Sequence, residues 1–417
     1  MFELEDSPHK FGNHKEPEAS RSVMDTIPEE RQQRYALWKK NTKLLYDYVN
    51  TNTSKWPSLT CQFFPDLDTT TDTHRVLLSS YTSSQVPEDE DIHIASISTL
   101  RHLPWSSLNN FDMDEMEFKP DTCTKLPPKH LQTRLTIRFP HGDCNRATFL
   151  PQNPDVISAA SSDGSVYIFD RTKHGTTSIS TNSRPYEIQL LPKTTGVSEA
   201  VGLAWNLQRR ATLASCHSEG ALRVWDITTF TRNDPVIDTE MALLQDEKSN
   251  GFNDVSWMIS HDSILAIGRE DNILALYDLR SPQHPTLTPG KFHQGGINSC
   301  KFNLSQDLLL ASAGGDGQVH LWDIRKLQEP IMTLSHGSAI STIAWNQYEP
   351  SIIATAGQED GLVKLWNASD AQLLFTHGGH MLGVNDVAWS SHDKWLLCSV
   401  ANDNSTHIWK PARTLLD

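Results

Sequence analysis

The chain has 417 residues, 36 Lys plus Arg against 51 Asp plus Glu, and a net charge of −15. Acidity of that size repels nucleic acid and attracts basic partners at long range. Hydrophobic residues are 37% of the chain and no apolar run approaches the roughly 18 residues that span a bilayer, so no membrane role is expected. Six scattered cysteines, Cys61, Cys123, Cys144, Cys216, Cys300 and Cys398, include no CxxC pair, which argues against a zinc site or a disulfide framework.

The amino terminus, 1–24, is acidic and polar, lacks the apolar core of a secretory signal, and is expected to be a disordered tail in a protein that stays inside the cell. Residues 25–50, DTIPEERQQRYALWKKNTKLLYDYVN, read as a helix. Thr26 and Glu29 have capping-box spacing and Pro28 suits the first turn. Trp38, Leu45 and Tyr48 or Val49 recur near helical spacing and form a face for docking, which Leu37 and Leu44 widen.

The segments 59–64, 74–81 and 91–98 are strand-like by their β-branched, alternating content. Residues 101–133 interrupt them with an acidic loop carrying FDMDEMEFKP, and 171–197 reads as a second polar loop around an outer strand.

From 141 onward a repeat organises the chain. SSDGSVYIFD (161–170), HSEGALRVWD (217–226), REDNILALYD (269–278), GGDGQVHLWD (314–323), QEDGLVKLWN (358–367) and ANDNSTHIWK (401–410) superimpose without gaps. Each has an acid at position three (Asp163, Glu219, Asp271, Asp316, Asp360, Asp403) and then Gly or Asn (Gly164, Gly220, Asn272, Gly317, Gly361, Asn404). That is hairpin chemistry, because Gly and Asn accept the positive φ of a tight turn and the acid accepts backbone N–H groups. A strand ending in an aromatic follows each turn, and 21 or 22 residues before each unit's end a second aromatic (Phe149, Trp205, Trp257, Phe302, Trp345, Trp389) closes another strand. Four units carry a histidine further upstream: His141, His293, His336 and His380.

This pattern resembles the WD-repeat family, whose units run from Gly-His to Trp-Asp and fold as four-stranded propeller blades. The resemblance implies an all-β, seven-bladed propeller over 57–417 with the helix docked on its side, the seventh blade coming from 59–100. Because the chain stops soon after Trp409, the strand 57–65 is expected to close the last blade. The family's blade network implies the sets His293, Ser312, Asp316, Trp322 and His336, Thr355, Asp360, Trp366.

No catalytic constellation survives this register. His377 and His380 of HGGH have metal-like spacing, but His380 falls on the blade histidine, and GGDG at 314–317 lacks the Lys-Ser/Thr of a phosphate loop. Neither an enzyme, a metal nor a cofactor is expected.

WKKNTKLLYDYV, KWPSLTCQFFPD, NRATFLPQNPDVIS, FDRTKH and LLFTHGGH together are similar to the retinoblastoma-associated histone-binding branch of WD proteins. The resemblance implies a nuclear, partly cytoplasmic, member of a chromatin assembly factor, working with larger subunits and histones H3 and H4 in nucleosome assembly during DNA replication. The alternatives are a role in a histone acetyltransferase or deacetylase complex, or a generic scaffold or substrate receptor. It implies a groove for a histone H4 helix at Leu37, Leu44, Leu45, Leu373 and Leu374, and a channel mouth for the histone H3 tail at Asp143, Asn145, Glu199, Asp254 and Asp386. Two departures stand out: only 368–372 separate Asn367 from Leu373, where the branch has a long acidic loop, and Asn253, Gly296 and Ala339 replace acids of the mouth.

Overall fold

A computed structural model describes residues 27–69, 72–99, 130–175, 185–193, 198–231, 234–245, 250–282 and 285–416, and the backbone alone of 110–112 and 117–119. The expected tail 1–24, Thr26 and most of the 101–133 loop lie outside those residues; within that loop Asn110–Asp112 pairs antiparallel with Glu117–Lys119.

Seven antiparallel sheets form the propeller. Their inner strands are Cys61–Asp68, Cys144–Leu150, Ala200–Trp205, Phe252–Trp257, Ile297–Phe302, Ile340–Trp345 and Val384–Trp389, taken as blades 1 to 7. All six predicted turn residues have positive φ, for example +72° at Gly317 and +62° at Asn404. A Cβ at Gly317 would sit 2.7 Å from the Ser338 carbonyl oxygen, so that turn admits no side chain. The acids brace these turns as expected: Asp163, Asp316, Asp360 and Asp403 accept the N–H of the residue two further on. The acid or amide that ends each unit has a parallel use. Asp170, Asp226, Asp278, Asp323 and Asn367 each accept the backbone N–H two residues later, capping the exit from the third strand.

The closing strand differs from the expectation. Residues 59–64 stay in blade 1, where Cys61–Asp68 is the inner strand, and Tyr46–Thr53 pairs with Ser405–Pro411 to complete blade 7. The helix (α1) is correspondingly shorter, Glu29–Leu45, with Pro28 in the capping position and no side-chain cap. YDYVNTNT is aromatic, β-branched and Asn-rich, which favours a strand over a helix. Tyr48 and Val49 therefore belong to the sheet, Val49 opposite Trp409.

Apolar burial is divided among seven clusters, one at each junction between blades. The junctions are also pinned by side-chain hydrogen bonds. At the start of the inner strands Asn145, Asn253, Asn298 and Asn385 donate to Ala200, Ile297, Ile340 and Ser58 carbonyls of the next blade. At the other end Trp257, Trp345 and Trp389 donate to Ala204, Lys301 and Ala344 of the previous one.

Beyond those strands an aromatic-Asn pair recurs in Trp205-Asn206, Phe302-Asn303 and Trp345-Asn346. Each Asn is buried, accepts two backbone N–H groups of its own turn, and donates to the next blade. Asn303→Ala leaves Ser305 N, Gln306 N and the Pro350 carbonyl without those partners. The expected loss is about 2–3 kcal/mol in urea unfolding, whereas Asn404→Gly at a surface turn costs a few tenths. Equal losses at the two sites would refute the staple.

Candidate functional site

The docked helix hangs on one residue. Trp38 is 5% exposed, packs in the junction between blades 6 and 7 and stacks on His407 at 5.9 Å and 4°. Its ring rests on Gly379, where a Cβ would approach it to 2.6 Å. Indole only donates, so its N–H goes to Tyr46 Oη (2.7 Å), Tyr46 donates to His377 Nδ1 (2.7 Å), and His377 Nε2–H donates to His407 Nδ1 (3.0 Å). Arg34 Nη2 adds a bond to the His380 carbonyl. HGGH is thereby explained residue by residue: His377 carries the chain of hydrogen bonds, Gly379 makes room for Trp38, and His380 serves its blade.

Both His377 and His407 are pushed well below the ordinary histidine range by burial first and by neighbouring histidines second, and burial holds His217 down at about 3. The folded chain keeps all three neutral while the unfolded chain protonates them near 6.5, so the unfolded state takes up more protons as pH falls. Stability is full above that value and drops below it by up to about 1.4 kcal/mol per pH unit for each histidine. Urea midpoints at pH 7.5, 6.0 and 5.0 should fall steeply, and a flat profile would contradict the relay. Asp316 and Asp323, held at about 2, add acid sensitivity only below about 4.

The five groove leucines gather where α1 meets the outer strand of blade 6, Gln372–His377. Leu45 and Leu374 are half-buried against the cluster of Trp38 and Phe375. Leu37, Leu44 and Leu373 stand 61%, 70% and 43% exposed. Leu37 and Leu44, two helical turns apart, share one face. The short connection 368–372 is a tight turn in which Asn367 and Asp370 accept the N–H groups of Ser369 and Gln372.

The expected channel mouth is divided. Asp143 is buried and accepts from Ser84 N and Oγ, Asn145 spends its amide on the next blade, and Glu199 is exposed. Asp254 and Asp386 do not belong to the mouth. Both are 3% exposed; Asp254 accepts from Lys301 Nζ, Cys300 N and Ser299 Oγ, and Asp386 from Cys61 N and Val387 N. One residue type at one strand register thus serves blade-to-blade bracing, and burial keeps it from a tail.

The blade networks have the expected connectivity. His293 bonds Asp316 (3.1 Å) and Ser312 (2.8 Å), and Trp322 donates to Ser312 (2.9 Å). His336 bonds Thr355 (2.7 Å), which also accepts from Trp366 (3.0 Å), with Asp360 at 3.3 Å from the imidazole. Blade 7 adds a third set, His380, Ser399 and Trp409 with Asp403. In blade 3 the histidine comes from the second strand instead: His217 and Trp225 both meet Ser215. His141 is exposed and its blade uses a bond from Tyr167 to Asp163.

Two groups bring metal-ligating atoms together, His377 with His380 and His407, and His293 with Asp316 and His320. In the first, His380 is stacked on His407 at 4.0 Å and 15°, so their in-plane lone pairs run parallel and do not converge, and both His380 nitrogens bond serine hydroxyls. In the second, both nitrogens of His293 and of His320 are committed to hydrogen bonds. Neither arrangement fits a metal.

Seven blades, a docked helix and an exposed leucine cluster define a WD-repeat propeller built for binding proteins. Residues 33–101 match the family model that describes the histone-binding protein RBBP4 or its counterpart in the CAF1 complex, and 286–323, 328–367 and 371–410 match the WD domain, G-beta repeat. The chain is 55% identical over 407 residues to the histone-binding protein MSI1 of Saccharomyces cerevisiae, covering 94% of this chain and 96% of that protein. It is 32% identical over 257 residues to the histone acetyltransferase type B subunit 2 of Schizosaccharomyces pombe, covering 60% and 56%. The chain belongs to this family of histone-binding WD-repeat proteins.

Proposed function

We propose that this protein is the histone-binding member of a chromatin assembly factor, acting in the nucleus with larger subunits during replication-coupled nucleosome assembly. An amphipathic helix of histone H4 lies in the groove between α1 and blade 6, in the helix-in-groove mode. The observation that carries this reading is the trio Leu37, Leu44 and Leu373, exposed beside a helix whose position Trp38 locks. Near-full-length similarity to MSI1, named a histone-binding protein, supports the ligand class. The type B acetyltransferase relatives support the alternative complex over a shorter span.

With Asp254 and Asp386 consumed inside the ring, an H3 tail at the acidic face has Glu199 as its one exposed carboxylate among the five expected contacts, and its affinity is weak. Titration of the purified chain with a labelled H4 helix peptide, and separately with the H3–H4 complex, tests the proposal. Saturable one-to-one binding of the peptide is expected. Binding of neither ligand would overturn it.

A further inference from the structure

The central channel holds a cavity of about 450 Å³. Its walls come from the later halves of the inner strands and the residues just after them, such as Pro65, Ile259, Leu304 and Ser391. It therefore opens on the face where the inner strands end, opposite the face that carries Asp143, Glu199 and the acidic turns.

Two cations line this cavity and they are not equivalent. Lys301 is neutralised, with its ammonium on both oxygens of Asp254 at 2.8 and 2.6 Å. Arg146 has only Asp386 near it, at 3.8 Å, beyond hydrogen-bond reach, and the Asp386 oxygens are already taken by Cys61 N and Val387 N. No described residue accepts a hydrogen bond from the Arg146 guanidinium, of which a quarter of the side-chain surface is open onto the cavity it lines. A fork of five N–H donors held in a confined, partly apolar space without acceptors is costly for a protein to build. It matches the geometry of a carboxylate or phosphate, which it binds bidentately. Around it Phe149, Phe302 and Leu304 supply an apolar collar, and Thr148, Ser256 and Thr342 supply hydroxyls.

We infer that the channel of this propeller is an oxyanion site, in which Arg146 takes a carboxylate or phosphate group entering from the face where the inner strands end. The site is separate from the leucine groove and does not depend on histone binding. The whole-chain charge of −15 opposes an anion at long range, but at the depth of Arg146 the nearest charges dominate and salt screens the rest.

The test uses the purified full chain in low-chloride buffer, titrated by calorimetry with inorganic phosphate and with N-acetylglutamate. Saturable binding of either is expected. Phosphate alone marks a free or phosphoryl ligand, and N-acetylglutamate as well marks an acidic side chain of a partner. Arg146→Gln should lower affinity at least tenfold, and Arg146→Lys should keep phosphate while losing the carboxylate. Should Arg146→Gln fail to fold, Gln62→Glu decides: it keeps both bonds that Gln62 Oε1 accepts from Thr148 Oγ1 and Phe149 N and adds a negative charge to the cavity. That variant should also bind at least tenfold more weakly. No binding of either anion by the wild type, or affinities unchanged by these substitutions, overturns the inference.

Discussion

Leu37→Asp combined with Leu44→Asp should abolish capture of the histone H4 helix while leaving the propeller intact. Each side chain is more than 60% exposed, so the folded chain loses little when it is replaced. In the complex each leucine would be buried, worth about 1.5–3 kcal/mol, and an aspartate there would also be desolvated. Together the losses exceed about 3 kcal/mol, at least a 100-fold drop in affinity. The measurement is anisotropy with a labelled H4 peptide, with the urea midpoint as control. Unchanged affinity would move the histone contact elsewhere, and a collapsed midpoint would mean that the leucines are structural.

Trp38→Ala should have the second large effect, although Trp38 is buried away from any partner. It removes the aromatic anchor, opens a cavity above Gly379 and leaves Tyr46 Oη without its donor, a cost of about 3–5 kcal/mol. That cost falls on the docking of α1, because Trp38 and Thr42 are its buried residues. Hydrogen exchange over 29–45 should accelerate, and H4 affinity should fall more than tenfold through misplacement of Leu37 and Leu44. Trp38→Phe, which keeps a ring and loses one donor, should cost about 1 kcal/mol. A helix that stays protected in Trp38→Ala would show that the anchor lies elsewhere.

The two predictions separate contact from support, and the same division runs through the sites legible in the sequence. Leu37 and Leu44 are legible as a surface pair because helical spacing places them on one face. The relay Trp38–Tyr46–His377–His407 is not legible: its members come from α1, the closing strand and two strands at the far end of the chain, and the period that predicts a docking face does not say what it docks on. Its one local trace, two glycines between two histidines, has the same spacing as a metal site. Asn206, Asn303 and Asn346 escape for a different reason, since they follow the aromatic that ends a strand and look like ordinary turn residues until the next blade's carbonyls are placed.

What the sequence by itself determined is local. The positive φ at six turns, the acids that brace them, the repetition of the blades and the serine-histidine-tryptophan sets follow from residue types at short fixed spacings, where chain connectivity chooses the partner. The tertiary structure decided everything that depends on a distant partner. It gave the ring its closing strand from Tyr46–Thr53, drew Asp254 and Asp386 inside as braces, and left the Arg146 guanidinium facing a cavity. The reason is physical: a carboxylate or a β-rich segment has the same local signature whether it faces water, a ligand or the next blade, and only closure of the ring chooses among these.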